Sequence, residues 1–440
     1  MSHTDVSDSA YWLPFSGNRA FHDTPRIITR AEGRYLFDDR DARKFDSLSG
    51  LWCCGAGHNR REIQQAVARQ LETLDYSPAF QYAHPQAFTL AKRLASMAPE
   101  GLDHVFFTNS GSDAADTAIK MARAYWRLRG RPEKIRLIGR AKGYHGVNVG
   151  GTSVGGIGPN RMAYGPLLET SHLPHTLQPE LSFTRGQADT GAELADALLD
   201  HIALQGTDNI AAVIVEPMSG SAGVIVPPRG YLERLRALCT EHDILLIFDE
   251  VITGFGRVGA AFGAQAFCVT PDILTLAKQV TNGAIPMGAV IADRTIHDAF
   301  MNQSSTRHAI EFTHGYTYSA HPVACAAALA ALDLYEQEDF PGQTRRLAPH
   351  FEEGLHSLKG VPGITDLRNY GLAGAIQLAP RDADPTLQPT NIAKTLWEQG
   401  FYVRHGGDTL QFAPPFSTTP EELSTLFNAV GEAIEHHGQG

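Results

Sequence analysis

Cysteine, basic charge and long apolar runs are all in short supply in this 440-residue chain. Its five cysteines, Cys53, Cys54, Cys239, Cys268 and Cys325, are odd in number and show no CxxC spacing, which argues against both a disulfide framework and a zinc site. No HExxH or comparable spacing occurs among the 19 histidines, so no metal is expected. Acidic residues outnumber basic ones by 48 to 37, a net charge of −11, which argues against a nucleic-acid partner or an anionic membrane surface. No apolar run approaches the ~20 residues needed to span a bilayer. The opening MSHTDVSDSAYWLPF lacks the basic start and apolar stretch of a signal peptide, so a cytoplasmic location is expected. Internal repeats and low-complexity segments are missing too.

What is present is an ordinary apolar content of 43% and enough length for about two or three domains. Residues 61–74, REIQQAVARQLETL, carry apolar residues at helical spacing. Beyond them strand-like and helix-like segments alternate: DHVFFTN, SGSDAADTAIKMARAYWRLRG, KIRLIGR, NIAAVIVEP, YLERLRALCTEHD, ILLIFDEV, DILTLAK and PMGAVIAD. Alternation with unbroken apolar strands predicts an α/β fold built on a mostly parallel sheet with helices on both faces. After the small-residue helix HPVACAAALAALDLYEQ the pattern changes to shorter strands, AGAIQLAP, FYVRHGG and TLQFAPPF, and a closing helix, PEELSTLFNAVGEAIEHH. This predicts a smaller α+β domain over 331–440, joined by the meander-like N-terminal segment 1–65, with the large domain at 66–330. The stretch from Gly150 to Asp189 reads as one long irregular segment, and loops of that length are usually functional or mobile.

Four pieces of chemistry sit on this scaffold, each with a plainer explanation. In TNSGSDAADTAIK a helix starts at Ser110 or Ser112, and its free N–H groups, with Gly111 allowing close approach, suit a phosphate. Simple capping by Ser and Asp would explain the same residues. In Gly143-Tyr144-His145-Gly146 a ring is presented between glycines and could stack on a planar ligand, although a Tyr-His pair in a turn is more often packing. In ILLIFDEVITGFGR, Asp249 ends an apolar strand at the edge where ligands gather in such sheets, and could pair with a protonated ring nitrogen. A structural ion pair is the alternative. Glu216 closes a second such strand at the same expected edge. Lastly, Lys278 follows the apolar segment DILTLA, and desolvation there would leave a neutral, nucleophilic amine; a solvated surface lysine is the plainer reading.

Together the four are what pyridoxal 5′-phosphate (PLP) requires: a phosphate cradle, an aromatic plate, a carboxylate for the ring nitrogen and an amine for the aldehyde. The ordered strings SGSDAADTA, YHG, EP, DEVITGFGR, AK and GYTYSAHP resemble the class III aminotransferases of the fold type I PLP enzymes, over nearly the whole chain. WLPFSGNRAF, DSLSGLWCCGAGH, YSPAFQYAHP, EPMSGSAG and YVRHGGDTLQFAPPF resemble the ω-amino acid–pyruvate branch of that family. The resemblance implies a large domain with a seven-stranded sheet. It implies that Lys278 holds the cofactor and moves the proton, that Asp249 faces the ring nitrogen, and that Val251 and Tyr144 lie on either side of the ring. Gly111 and Ser112 would bind the phosphate, and Glu216 would order the site behind the ring. Thr317 would reach the phosphate of a neighbouring subunit, which implies a homodimer with shared sites and leaves a tetramer open. Trp52, Arg404 and Gln411 match substrate-contacting positions, and Phe80 could line the same pocket.

The substrates implied are an amino donor and a keto acid acceptor, exchanged by a ping-pong route. Relatives that use 2-oxoglutarate typically read EPxxGEAG and carry an arginine before the terminal Ala-Pro-Pro run. Here Ser221 stands at the glutamate position and Gln411 at the arginine position. That leaves Arg404 as a single carboxylate clamp, so pyruvate is expected as acceptor and β-alanine or related ω-amino acids and amines as donors. A 2-oxoglutarate-using ω-aminotransferase or an aminomutase is the alternative within the family.

Overall fold

The computed structural model describes residues 9–165, 167–303, 306–380 and 384–438. Its centre is a seven-stranded sheet in the order Leu102–Thr108, Gly288–Asp293, Ile273–Leu276, Leu245–Asp249, Ile210–Val215, Arg136–Arg140, Thr170–Leu173. Only Gly288–Asp293 runs against its neighbours; the remaining pairings are parallel. Ile210–Val215, Leu245–Asp249 and Ile273–Leu276 are buried at every residue, which is why they read as continuous apolar runs. The fold is therefore α/β with a mostly parallel seven-stranded sheet.

Helices form where apolar residues recur every three to four positions. In Gly111–Leu128, Ala114, Ala118, Ala122, Tyr125 and Trp126 make the buried face, and Trp126 Nε1 donates to the carbonyl of Ala211 (2.8 Å), pinning the helix to a central strand. Small residues let the helix Pro322–Gln337 lie close to both the helix Arg61–Thr73 and the turn Lys278–Thr281. Its packing thus braces the turn from behind.

Two four-stranded sheets flank this core. Ile364–Tyr370, Ala373–Leu378, Thr409–Phe412 and Arg404–Gly406 form an antiparallel one. The other joins Ile28–Glu32, Tyr35–Asp38 and Arg43–Asp46 to Phe401–Tyr402, which runs parallel to Arg43–Asp46. The segment FYVRHGG is therefore two strands in two sheets, split at buried Val403. The stretch after Gly150 is also less irregular than its composition predicts. It holds the helices Val149–Val154 and Gly158–Met162 and the edge strand Thr170–Leu173, a strand with one buried residue and no apolar run to announce it. Among the described residues no helix is long and apolar enough to cross a membrane.

Candidate active site

The carboxyl ends of three neighbouring parallel strands meet at one edge of the large sheet. Phe248 is in register with Val215, so Asp249 and Glu216 emerge side by side; Asp249 is in register with Thr275, three residues before Lys278. This is the edge at which open α/β sheets collect ligands.

Asp249 is 6% exposed. Its Oδ2 accepts from Nδ1 of fully buried His145 (2.8 Å) and its Oδ1 from the N–H of Val251 (3.2 Å). A carboxylate can only accept, so the imidazole proton sits on Nδ1. His145 Nε2 is buried and without a partner among the described residues. The adjacent Glu250 faces the opposite way. It accepts from Thr253 Oγ1 and from the N–H groups of Gly263 and Ala264 (both 2.6 Å), and burial pushes its carboxyl up to about 7. Of the two carboxylates in the DEV string, Asp249 faces the site and Glu250 is occupied in holding a helix start.

Glu216 is almost fully buried and ties two loops together, its Oε1 accepting from the N–H of Tyr144 (3.0 Å) and its Oε2 from that of Gly220 (3.1 Å). Burial raises its pKa, opposed by nearby His145. Arg140, also buried, donates to the Glu216 carbonyl (2.7 Å) and to Ser219 Oγ (2.9 Å). Tyr144 is half-buried, and burial raises its phenol above the ordinary value.

Lys278 opens the tight turn Lys278–Thr281 in the left-handed region, φ +49°. A lysine pays for that backbone conformation, and such strain gathers at functional positions. Burial lowers its amine's pKa, opposed by Asp249, Cys53 and Glu216.

Across the pocket, the helix Gly111–Leu128 starts after Ser110, whose Oγ accepts from the N–H of Asp113 (3.1 Å). The capping expectation is therefore met by Ser110, while the N–H groups of Gly111 and Ser112 find no acceptor among the described residues. Ser112 Oγ accepts instead from the N–H of Val147 (3.0 Å). A Cβ at Gly146 (φ +88°) would lie 2.4 Å from Ser112 Oγ, and one at Gly111 would lie 3.1 Å from both methyls of Val251. Only glycine lets these loops meet.

The residues expected to contact substrate lie in or beside the two smaller sheets. Trp52 is 4% exposed at φ +65°, held in a loop that Asp46 closes by accepting from Gly50 N–H (2.6 Å). Arg257 donates to Ser49 Oγ of the same loop (3.2 Å) and to the Pro414 carbonyl beyond the strand Thr409–Phe412 (2.7 Å). Arg404 is exposed, and its guanidinium has no hydrogen bond or ion pair among the described residues. Gln411, its cross-strand neighbour, is buried and donates to the Ser221 carbonyl (2.8 Å). Phe80 and Thr317 lie apart from this cluster, on an exposed surface where Gly315 packs on the Phe80 ring and Tyr76 Oη donates to the Thr317 carbonyl (3.1 Å).

Sequence reasoning passed over His145 and Arg140. His145 was visible in the YHG string, but nothing local says that its ring reaches a strand two places away in the sheet. A strand ending in a buried arginine was the only sign of Arg140. Among the described residues no cluster of three or more His, Cys, Asp or Glu is placed to hold a metal ion.

The family model for aminotransferase class-III matches residues 16–434. The chain is 65% identical to the β-alanine–pyruvate aminotransferase of Pseudomonas aeruginosa, over 98% of this chain and 96% of that one. It is 58% identical to the ω-amino acid–pyruvate aminotransferase of Pseudomonas putida, over 97% and 95%. Among solved structures, a PLP-bound amine transaminase from an uncultivated Pseudomonas species superposes with a TM-score of 0.91 at 39% identity, covering 98% of this chain and 99% of that one. With that family match and 65% identity over nearly its whole length, the chain is a class III aminotransferase.

Proposed function

We propose that this aminotransferase uses PLP to move an amino group from β-alanine, another ω-amino acid or an amine to pyruvate, yielding L-alanine and the matching semialdehyde, aldehyde or ketone. The acceptor choice rests on one observation, the contact of Gln411 Nε2 with the Ser221 carbonyl. Where 2-oxoglutarate-using relatives carry an arginine and a glutamate, these two positions still touch, but as a neutral pair. Arg404 is then the cation left for a substrate carboxylate, and its planar fork binds one such group bidentately. The two Pseudomonas relatives above support the same substrates.

The residues present suit PLP. The open N–H groups of Gly111 and Ser112 at a helix start would take its phosphate. Asp249, aligned by His145 and Val251, keeps lone pairs free for a protonated ring nitrogen. Val251 and Tyr144 would cover the two faces of the ring, with Glu216 fixing the Tyr144 loop. When bound, PLP supplies an aldehyde that takes up amines and a ring that absorbs the electron pair left by a broken C–H bond. Lys278 Nζ, its pKa lowered by burial, would hold the aldehyde and then take the proton from the amine-bearing carbon of the substrate. Trp52 would give the substrate an apolar wall, and Phe80, on the exposed surface with Thr317, would reach a site only in a second copy.

We further propose a homodimer working in the cytoplasm. Thr317 is exposed next to Tyr318 and two residues from Gly315, on which Phe80 packs, and these two rings are 59% and 58% exposed; a second copy covering this patch would bring Thr317 to the other subunit's phosphate. All five cysteines are free, as a reducing compartment would keep them. The test is the half-reaction. Mixing purified holoenzyme with β-alanine should shift the cofactor absorption to the amine form, and pyruvate should restore it; failure of 2-oxoglutarate to restore it completes the expected result. Restoration by 2-oxoglutarate at a comparable rate would overturn the acceptor assignment.

A further inference from the structure

Cys53 and Cys54 follow Trp52 directly, and their sulfurs stand 3.7 Å apart in a half-buried position. Two glycines of left-handed backbone make room for them. A Cβ at Gly283 (φ +71°) would lie 3.0 Å from Cys53 Sγ and 3.1 Å from Cys54 Sγ, and one at Gly50 (φ +66°) would lie 3.5 and 3.4 Å from them. Gly283 also closes the turn that Lys278 opens, its N–H donating to the Lys278 carbonyl (3.2 Å). The two sulfurs therefore rest against the end of the lysine turn.

The spacing decides what the pair can do. Adjacent Cα atoms are ~3.8 Å apart, short of the ~4.4 Å that ordinary disulfides need. Joining the sulfurs directly would strain the backbone. Bridging them through one atom would not, since two sulfurs ~2.3 Å from a common centre stand about 3.3 Å apart at a right angle and about 3.8 Å apart at the tetrahedral one, so a pyramidal centre draws them in by a few tenths of an ångström. The contact between the thiols, helped by nearby Lys278, lowers the Cys53 pKa and raises that of Cys54, so Cys53 is the first of the two to ionise.

We propose that Cys53 and Cys54 form a chelating dithiol that takes a soft, thiophilic centre of the trivalent arsenical class across its two sulfurs, against the turn that carries Lys278. For a dihydroxyarsine, two As–O bonds break and two As–S bonds form. Each thiol proton leaves with a hydroxyl as water, and no atom changes oxidation state. The other cysteines cannot compete as chelators, since Cys239 and Cys325 are buried and Cys268 is exposed alone. That occupancy stops turnover rests on the reading of Lys278 given above; that the dithiol binds does not.

The experiment titrates the holoenzyme with phenylarsine oxide and follows both intact mass and turnover. The expected result is one adduct per chain, activity falling with occupancy, and release by 2,3-dimercaptopropanol but not by excess 2-mercaptoethanol. Because a second leg adds on the order of 100-fold or more to retention, Cys53→Ser and Cys54→Ser should each weaken it by about that factor, and either variant decides if the other fails to fold. No adduct, an adduct retained equally in the variants, or release by the monothiol overturns the chelate. An adduct on fully active enzyme overturns its placement against the lysine turn. Mass is read apart from activity, so this test and the transaminase reading can fail separately.

Discussion

Nδ1 of His145 and Oδ2 of Asp249 meet at 2.8 Å with both side chains withdrawn from water. The bond fixes the carboxylate's orientation from a strand two positions away in the sheet. Replacing His145 with Ala leaves a buried carboxylate oxygen unsatisfied, at a cost of about 1–3 kcal/mol. If that alignment is used in the reaction, kcat falls by roughly 5- to 150-fold, while Asp249→Asn slows the same step more severely. His145→Gln, which can still donate, recovers part of the loss. Steady-state kinetics with β-alanine and pyruvate, together with the pH profile of kcat, check this; unchanged kcat in His145→Ala would remove His145 from the site.

Lys278→Ala removes both nucleophile and base. Turnover should drop by many orders of magnitude in a protein that stays folded and binds PLP weakly. In the wild type, borohydride should trap the cofactor on Lys278, as peptide mapping would show. Trapping on another lysine refutes the assignment.

The same lysine links stability to pH. Burial holds its amine below the ordinary value, so the cofactor-free folded state binds fewer protons than the unfolded chain. Stability then rises with pH across the interval below the ordinary lysine value of about 10.4. Urea unfolding of cofactor-free protein at several pH values should show this rise, and Lys278→Met should flatten it.

Arg404→Ala should cost the β-alanine–pyruvate reaction about 2–3 kcal/mol, or roughly 30- to 150-fold in kcat/KM. Amine donors without a carboxylate should suffer less in their half-reaction. Equal losses for both donor types would place Arg404 in a structural role.

The Gln411–Ser221 contact makes a paired prediction. Gln411→Arg alone buries a guanidinium without a counter-charge, which typically costs about 3–5 kcal/mol. Adding Ser221→Glu should restore much of that stability and raise activity with 2-oxoglutarate. A double-mutant cycle on thermal unfolding and on acceptor kinetics measures the coupling; additive effects would show that the two positions do not communicate.

Much of this was legible in the chain itself, for identifiable reasons. Strands buried on both faces, such as Ile210–Val215, announce themselves as apolar runs, and the carboxylates at their ends stand out because burying a charge is costly. The strand Thr170–Leu173 did not, because an edge strand with one buried residue has no composition to betray it. The split of FYVRHGG between two sheets was hidden for a different reason: nothing in seven residues records which distant strand each half will pair with. The same holds for His145, whose partner lies 104 residues away. Local pattern reports burial, while long-range pairing is recorded only in the folded chain.

That pairing has a consequence for the order in which the site is made. Phe401–Tyr402 lies along Arg43–Asp46, and Ser47 Oγ donates to the Tyr402 carbonyl (2.6 Å) across 355 residues. Arg404 follows this junction on one side and the Trp52 loop follows it on the other. During synthesis, every strand of the central sheet has left the ribosome before Phe401 is made. Lys278 and Asp249 are thus synthesised more than a hundred residues before Arg404 and Gln411, the last of the candidate site residues to be made.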